Sequence, residues 1–173
     1  MIVKTIGAVL VLASTTAIGS LLALQLKEQE RWLKDMKLTL FLLDGELEYH
    51  QRPLPEALRQ TGMRHEGRMK DFFLSISEEL ERKEGNRLGV IWRKQANGAL
   101  LHAPIKKEHK EEFSELGTYL AEADTQVRKN AMEFYFARLD EEIAALRASE
   151  KDKAYLYRTM GMLGGLFLLL IAA

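Results

Sequence analysis

Cysteine is absent from the 173 residues. Its absence removes disulfides, thiolate metal sites and thiol nucleophiles together, while leaving the compartment open. Proline is nearly as scarce. Pro53, Pro55 and Pro104 are the three in the chain, so no obligatory helix break follows Pro104.

Charge is missing from both ends. Lysine plus arginine and aspartate plus glutamate number 25 each, for a formal net charge of zero. Every acidic residue, and every basic one except Lys4, lies between Lys27 and Arg158. From Thr5 to Leu26 the chain runs 22 residues without a charge, where roughly 20 suffice to cross the hydrocarbon core as a helix. This run is longer than the apolar core of a cleavable leader, roughly 7 to 15 residues, which favours a retained span. At the other end 15 residues follow Arg158, about 22 Å of helix and too short alone. Counting from Ala154 restores the length, with Arg158 snorkelling to the headgroups and Tyr155 and Tyr157 at the interfacial belt. The sequence therefore predicts transmembrane helices over 1–26 and 154–173, flanking a water-facing segment over 27–153.

Ionisable groups deep in either span are also lacking, which argues against a pore or proton relay made by this chain alone. What the spans carry is small residues at four-residue spacing, Thr15, Gly19 and Ala23 in the first and Gly161 and Gly165 in the second. Such stripes permit close helix packing in lipid. Lysine and arginine near the membrane ends fall on the middle segment, at Lys27, Arg31, Lys34, Lys37, Arg147, Lys151, Lys153 and Arg158. The positive-inside bias then predicts a cytoplasmic middle domain.

Catalytic constellations are missing too. "GMRHEGRM", Gly62 to Met69, has P-loop glycine spacing but puts Arg68 and Met69 where Lys and Ser or Thr are needed, and follows no strand. It reads as a turn between helices. The histidines His50, His65, His102 and His109 lie on different elements without a ligand spacing and read as surface or capping residues. Adjacent carboxylates, Glu78 with Glu79 and Glu111 with Glu112, read as solvated helix faces. Basic residues are matched by acidic ones throughout, so nucleic acid binding has no electrostatic support. No cofactor, metal or catalytic residue is expected, and the chain reads as a non-enzyme.

The middle segment repeats its apolar residues with helical period. Leu33, Met36, Leu40, Leu43 and Leu47 make one face of a first helix, which stops at "RPLPEAL". There Pro53 disfavours helix at Arg52 and Pro55 starts a short second helix reaching Gly62, with Leu58 completing a structural turn. A third helix is expected from Gly67 to Glu84, burying Met69, Phe72 or Phe73, Ile76 and Leu80 and ending at "EGN". A fourth holds "RLGVIWRKQA" and ends by Asn97-Gly98. The fifth is expected to start at Pro104 with Ile105, Phe113, Leu116 and Leu120 inward. Asp124 caps a sixth, whose stripe is Met132, Phe136, Leu139, Ile143 and Leu146 and which continues into the second span. The fold class is therefore all-α, a bundle of about six helices between two membrane helices.

Four pieces, "IGAVLVLASTTAIG", "PLPEAL", "LGTYLAEADTQ" and "YLYRTMGMLGGLFLLLI", stand in this order across essentially the whole chain. Together they resemble the stage III sporulation protein AB family of endospore-forming bacteria, whose soluble part is similar to the cytoplasmic domain of the platform F proteins of type II secretion. The resemblance implies a mother-cell membrane protein, facing the forespore, in the channel complex of sporulation. It also implies a scaffold role, homo-oligomerisation, other stage III channel subunits as partners, and docking of the cytoplasmic AA ATPase. Secretion platforms duplicate the domain, and this chain has one copy. The rival expectation is a two-span sensor with an extracytoplasmic ligand-binding helical domain.

Overall fold

The computed structural model describes the backbone at residues 2–67, 69–82, 87–122 and 124–172, and side chains at residues 21, 23–67, 69–82, 87–122 and 124–149. Among these residues every regular element is a helix: α1 (Ile2–Glu48), α2 (Leu54–Arg64), α3 (Lys70–Glu81), α4 (Leu88–Ala99), α5 (Lys107–Leu120) and α6 (Thr125–Ala172). The chain divides into two compact units, one formed by Met1–Glu30 with Ala144–Ala173, the other by Arg31–Ile143. In the first, Arg147 Nε meets Glu30 Oε1 at 2.6 Å. Among the described residues no helix is long and apolar enough to cross a membrane. The two expected spans lie almost wholly outside the described side chains.

The second unit is built on the stripes that the helical period predicts, with local corrections. Leu33, Met36, Leu40 and Leu43 of α1 are buried, but Leu47 is half-buried and Glu46 takes the inward position. On α3, Met69, Phe72, Phe73 and Ile76 are inside, whereas Leu80 is half-buried and Ser77 is buried in its stead. Tyr135, not Phe136, joins Met132, Leu139 and Ile143 in the stripe of α6, while Leu146 is buried in the first unit. A repeat of 3.6 residues drifts along a strict 3-and-4 count, and a polar group follows it inward wherever a partner waits.

Helix ends follow from identifiable residues. Pro53 stands at the N-cap of α2 and Pro55 in its first turn, where a missing N–H costs nothing. The helix runs past Gly62 to Arg64. α3 begins at Lys70 rather than Gly67, and residues 83–86, where its glycine stop was expected, lie outside the described residues. α5 begins at Lys107, after Ala103, Pro104 and Ile105 make a connection, because the residue before a proline avoids helical backbone. Asp124 caps α6, its Oδ1 accepting the Gln126 N–H at 2.8 Å.

The centre is aromatic. Trp92 of α4 is fully buried, with Phe72 edge-on at 4.8 Å, Phe73 at 5.8 Å and Phe113 at 5.3 Å between ring centroids. Its indole N–H donates to the Phe113 carbonyl at 2.7 Å, which joins α4 to α5. Gly117 makes room for it: an added Cβ there would overlap Trp92.

Candidate functional site

Among the polar side chains carried into the core, Glu46, His65 and His109 are structural ties. Glu46, 2% exposed, holds Arg64 Nη1 at 2.6 Å and Arg52 Nη1 at 2.9 Å. The two arginines flank the proline turn, so one carboxylate fixes both its sides. From below, the Ser77 hydroxyl donates to the Pro55 carbonyl at 2.8 Å, and Leu58 is fully buried. Pro53 and Pro55 thus open α2, and Leu58 lies buried within that helix rather than in the turn.

The histidines correct the sequence reading. His50 and His102 are exposed and His65 is the C-cap residue of α2, as expected, but His65 and His109 are both buried rather than at the surface. His65 Nε2 lies 2.7 Å from Asp35 Oδ1. His109 sits between Glu112 at 3.4 Å and Glu142 at 3.5 Å, linking α5 to α6. Burial alone would push the Glu142 carboxyl up, but the Lys106 ammonium, at 2.8 Å, and His109 outweigh it and hold it below its usual range. Glu112 also accepts from Arg138 at 3.3 Å. The Tyr135 hydroxyl beside it has no hydrogen-bond partner among the described residues, and burial first, then Glu112, pushes its ionisation far up. Neither carboxylate pair lies wholly in solvent. Glu79 is tied to Lys94 and Gln95, which hold it below its usual range, and Glu112 is tied to Arg138 and His109. The signal missed was a partner on another helix, Lys94 and Gln95 of α4 for Glu79 and Arg138 of α6 for Glu112.

Among the described residues no group of three or more His, Asp or Glu side chains can hold a metal ion. The concave features are open grooves instead. Along α4 and α5 run one of about 810 Å³, reaching Leu54, Val90, Arg93 and Thr118, and one of about 560 Å³, reaching Arg93, Leu101, Lys107 and Lys110. Val90 and Leu101 are more than 60% exposed on this face, and Arg87 and Arg93 have no ion-pair partner among the described residues. Between α5 and α6 a third groove, about 410 Å³, is lined by Glu115, Tyr119, Val127, Ala131 and Phe134.

Of the small residues expected to pack in lipid, Ala23 is half-buried, while the side chains of Thr15, Gly19, Gly161 and Gly165 lie outside the described residues. Of "GMRHEGRM", Gly62 to Arg64 close α2 and His65 to Gly67 leave it before α3, as a turn between helices requires.

Among known proteins, a curated relative, stage III sporulation protein AB of Bacillus subtilis (strain 168), is 22% identical over 168 residues, covering 97% of this chain and 98% of that one. No solved structure matches. The family model described as stage III sporulation protein AB matches residues 4–172, taking in both charge-free ends and the helical domain between them. By that match the chain belongs to the stage III sporulation protein AB family, whose members take part in spore formation.

Proposed function

We propose that this chain is a non-catalytic membrane platform subunit of the mother cell–forespore channel complex. Residues 1–26 and 154–173 anchor it in the mother-cell membrane facing the forespore, and the helical domain over 27–153 lies in the cytoplasm and docks the AA ATPase. The observation that carries this reading is the extent of the family match, residues 4–172. The match takes in both charge-free ends of this chain as well as the helical domain between them. The domain's polar interior supports the reading, because Glu46 is paired with Arg52 and Arg64, and His65 and His109 lie against Asp35 and Glu142. The α4–α5 face, with exposed Val90, Leu101, Arg87 and Arg93, suits an ATPase surface that is apolar at its centre and acidic at its edge. In the bilayer, Thr15, Gly19 and Ala23 and Gly161 and Gly165 serve close packing between spans or with other channel subunits.

The absence of cysteine makes the test direct. A single cysteine at Asn97 or at Ala173, in intact cells treated with a membrane-impermeant maleimide, reports which side each occupies. Label on Ala173→Cys but not on Asn97→Cys supports the platform and leads to capture of the ATPase. Label on Asn97→Cys sinks it in favour of an external sensor.

A further inference from the structure

We propose that the helical domain binds a second copy of itself head to tail, the outward stripe of α1 on one copy lying in the α5–α6 groove of the next. Opposite the buried face of α1, Leu38, Phe41 and Tyr49 stand out to solvent, Phe41 at 64% and Tyr49 at 87% exposure. Their spacing, with Gly45 between, follows one side of the helix. Nothing in the described chain lies within 4 Å of a Cβ added at Gly45. A helix-interior glycine with no neighbour of its own leaves the backbone open to close approach by another surface.

The groove is the matching concavity. Tyr119, Val127 and Phe134 line it and are all exposed, Phe134 at 67%. Ala131 keeps its floor low. An exposed apolar ridge and an exposed apolar groove on one domain form a heterologous pair, which builds a ring or a filament from several chains.

Register favours this pairing. Lys37 with Asp140 and Arg128 with Glu48 set α1 antiparallel to α6. Lys106 with Glu142 and Arg138 with Glu112 set α6 antiparallel to α5. Hence α1 and α5 run parallel, and Phe41 and Gly45 stand at the level of the groove. A copy rotated about an axis along α1 keeps that level and slides its stripe into its neighbour. The same rotation brings Lys34, one turn before Leu38, towards Glu108 on the acidic edge that α5 makes with Glu115. Pairing two α1 stripes instead would require antiparallel copies or like charges face to face. The proposal rests on the platform reading only in that copies anchored in one membrane point the same way.

The test is disulfide crosslinking of the full-length, otherwise cysteine-free protein in membranes. Two differently tagged chains, one Gly45→Cys and the other Ala131→Cys, are co-expressed and oxidised. The expected product is a dimer carrying both tags, absent when either chain is expressed alone. Phe41→Glu in the Gly45→Cys chain should abolish it, while the helical circular dichroism spectrum stays unchanged. No crosslink, or a dimer from Gly45→Cys alone through α1 against α1, overturns the proposal. The maleimide label on Asn97→Cys separates the two readings. External label alongside the mixed-tag dimer removes the platform and leaves the interface, whereas internal label without the dimer does the reverse.

Discussion

Gly117→Ala adds one methyl group to α5 and should unravel the junction with α4. The added carbon would overlap Trp92 Cβ and Cγ and come within 2.7 Å of Cδ1. Trp92 has little room to retreat, because Phe72, Phe73 and Phe113 surround its ring. Overpacking of this kind costs about 1–3 kcal/mol. If the indole shifts, its N–H loses the Phe113 carbonyl in a buried site, for a further cost of about 1–3 kcal/mol. Alanine's helix preference returns about 1 kcal/mol, so the net loss is about 1–5 kcal/mol. Gly98→Ala is the control: its Cβ meets nothing within 4 Å, and it should gain about 0.5 kcal/mol. Urea unfolding of the full chain in detergent, followed by Trp92 fluorescence in a Trp32→Phe background, reads both. Gly117→Ala should lower the midpoint by about 1–2 M and Gly98→Ala should raise it slightly. A Gly117→Ala midpoint at or above that of the parent would refute the close approach of α4 and α5.

Other perturbations test separate parts of the domain. Glu46→Ala leaves Arg52 and Arg64 without their shared carboxylate and should cost about 1–3 kcal/mol by the same unfolding assay, less than a fully buried pair because both arginines can turn to water. Asp44 is held above its ordinary value of 3.8 by burial, then by Glu48, against the pull of Arg128 and Lys129. The folded chain therefore keeps this proton to higher pH than the unfolded one, and stability is lost as pH rises from about 4 through the raised value. Asp44→Asn should escape that loss: its advantage in thermal midpoint should be present at pH 7 and shrink as pH falls below about 4. Arg93→Glu should weaken capture of the AA ATPase while moving stability by no more than about 0.5 kcal/mol. Unchanged capture would exclude the α4–α5 face.

How far the sequence could be read depended on whether the deciding partner was local. The stop at Pro53, the cap at Asp124 and the inward runs Leu33–Met36–Leu40–Leu43 and Phe113–Leu116–Leu120 are set by neighbours within a turn or two, and they were legible. Glu46 was not. An acidic residue next to Leu47 reads as solvent-facing until Arg52 and Arg64 arrive from beyond the proline turn. Tyr135 displaced Phe136 because the helical drift turns position 135 inward, and burying its ring outweighs leaving one hydroxyl without a partner. His65 and His109 looked isolated because Asp35 and Glu142 lie on other helices. The grooves had no sequence signature at all. Val90, Leu101 and Phe134 are apolar residues on the outward sides of their helices, and an apolar letter alone does not say which side it faces.

The pairing of the first helix with the last has a consequence during synthesis. Lys37 and its partner Asp140 are separated by 103 positions, and the ribosome adds about 5–20 residues per second. The Lys37 side of α1 therefore emerges roughly 5–20 seconds before the strand of message encoding its partner has been read. Meanwhile α2 to α5 can settle through contacts between neighbours in the chain. Closure of the domain is a late, long-range event, and a nascent-chain chaperone or an already finished copy has its window on α1 before α6 arrives.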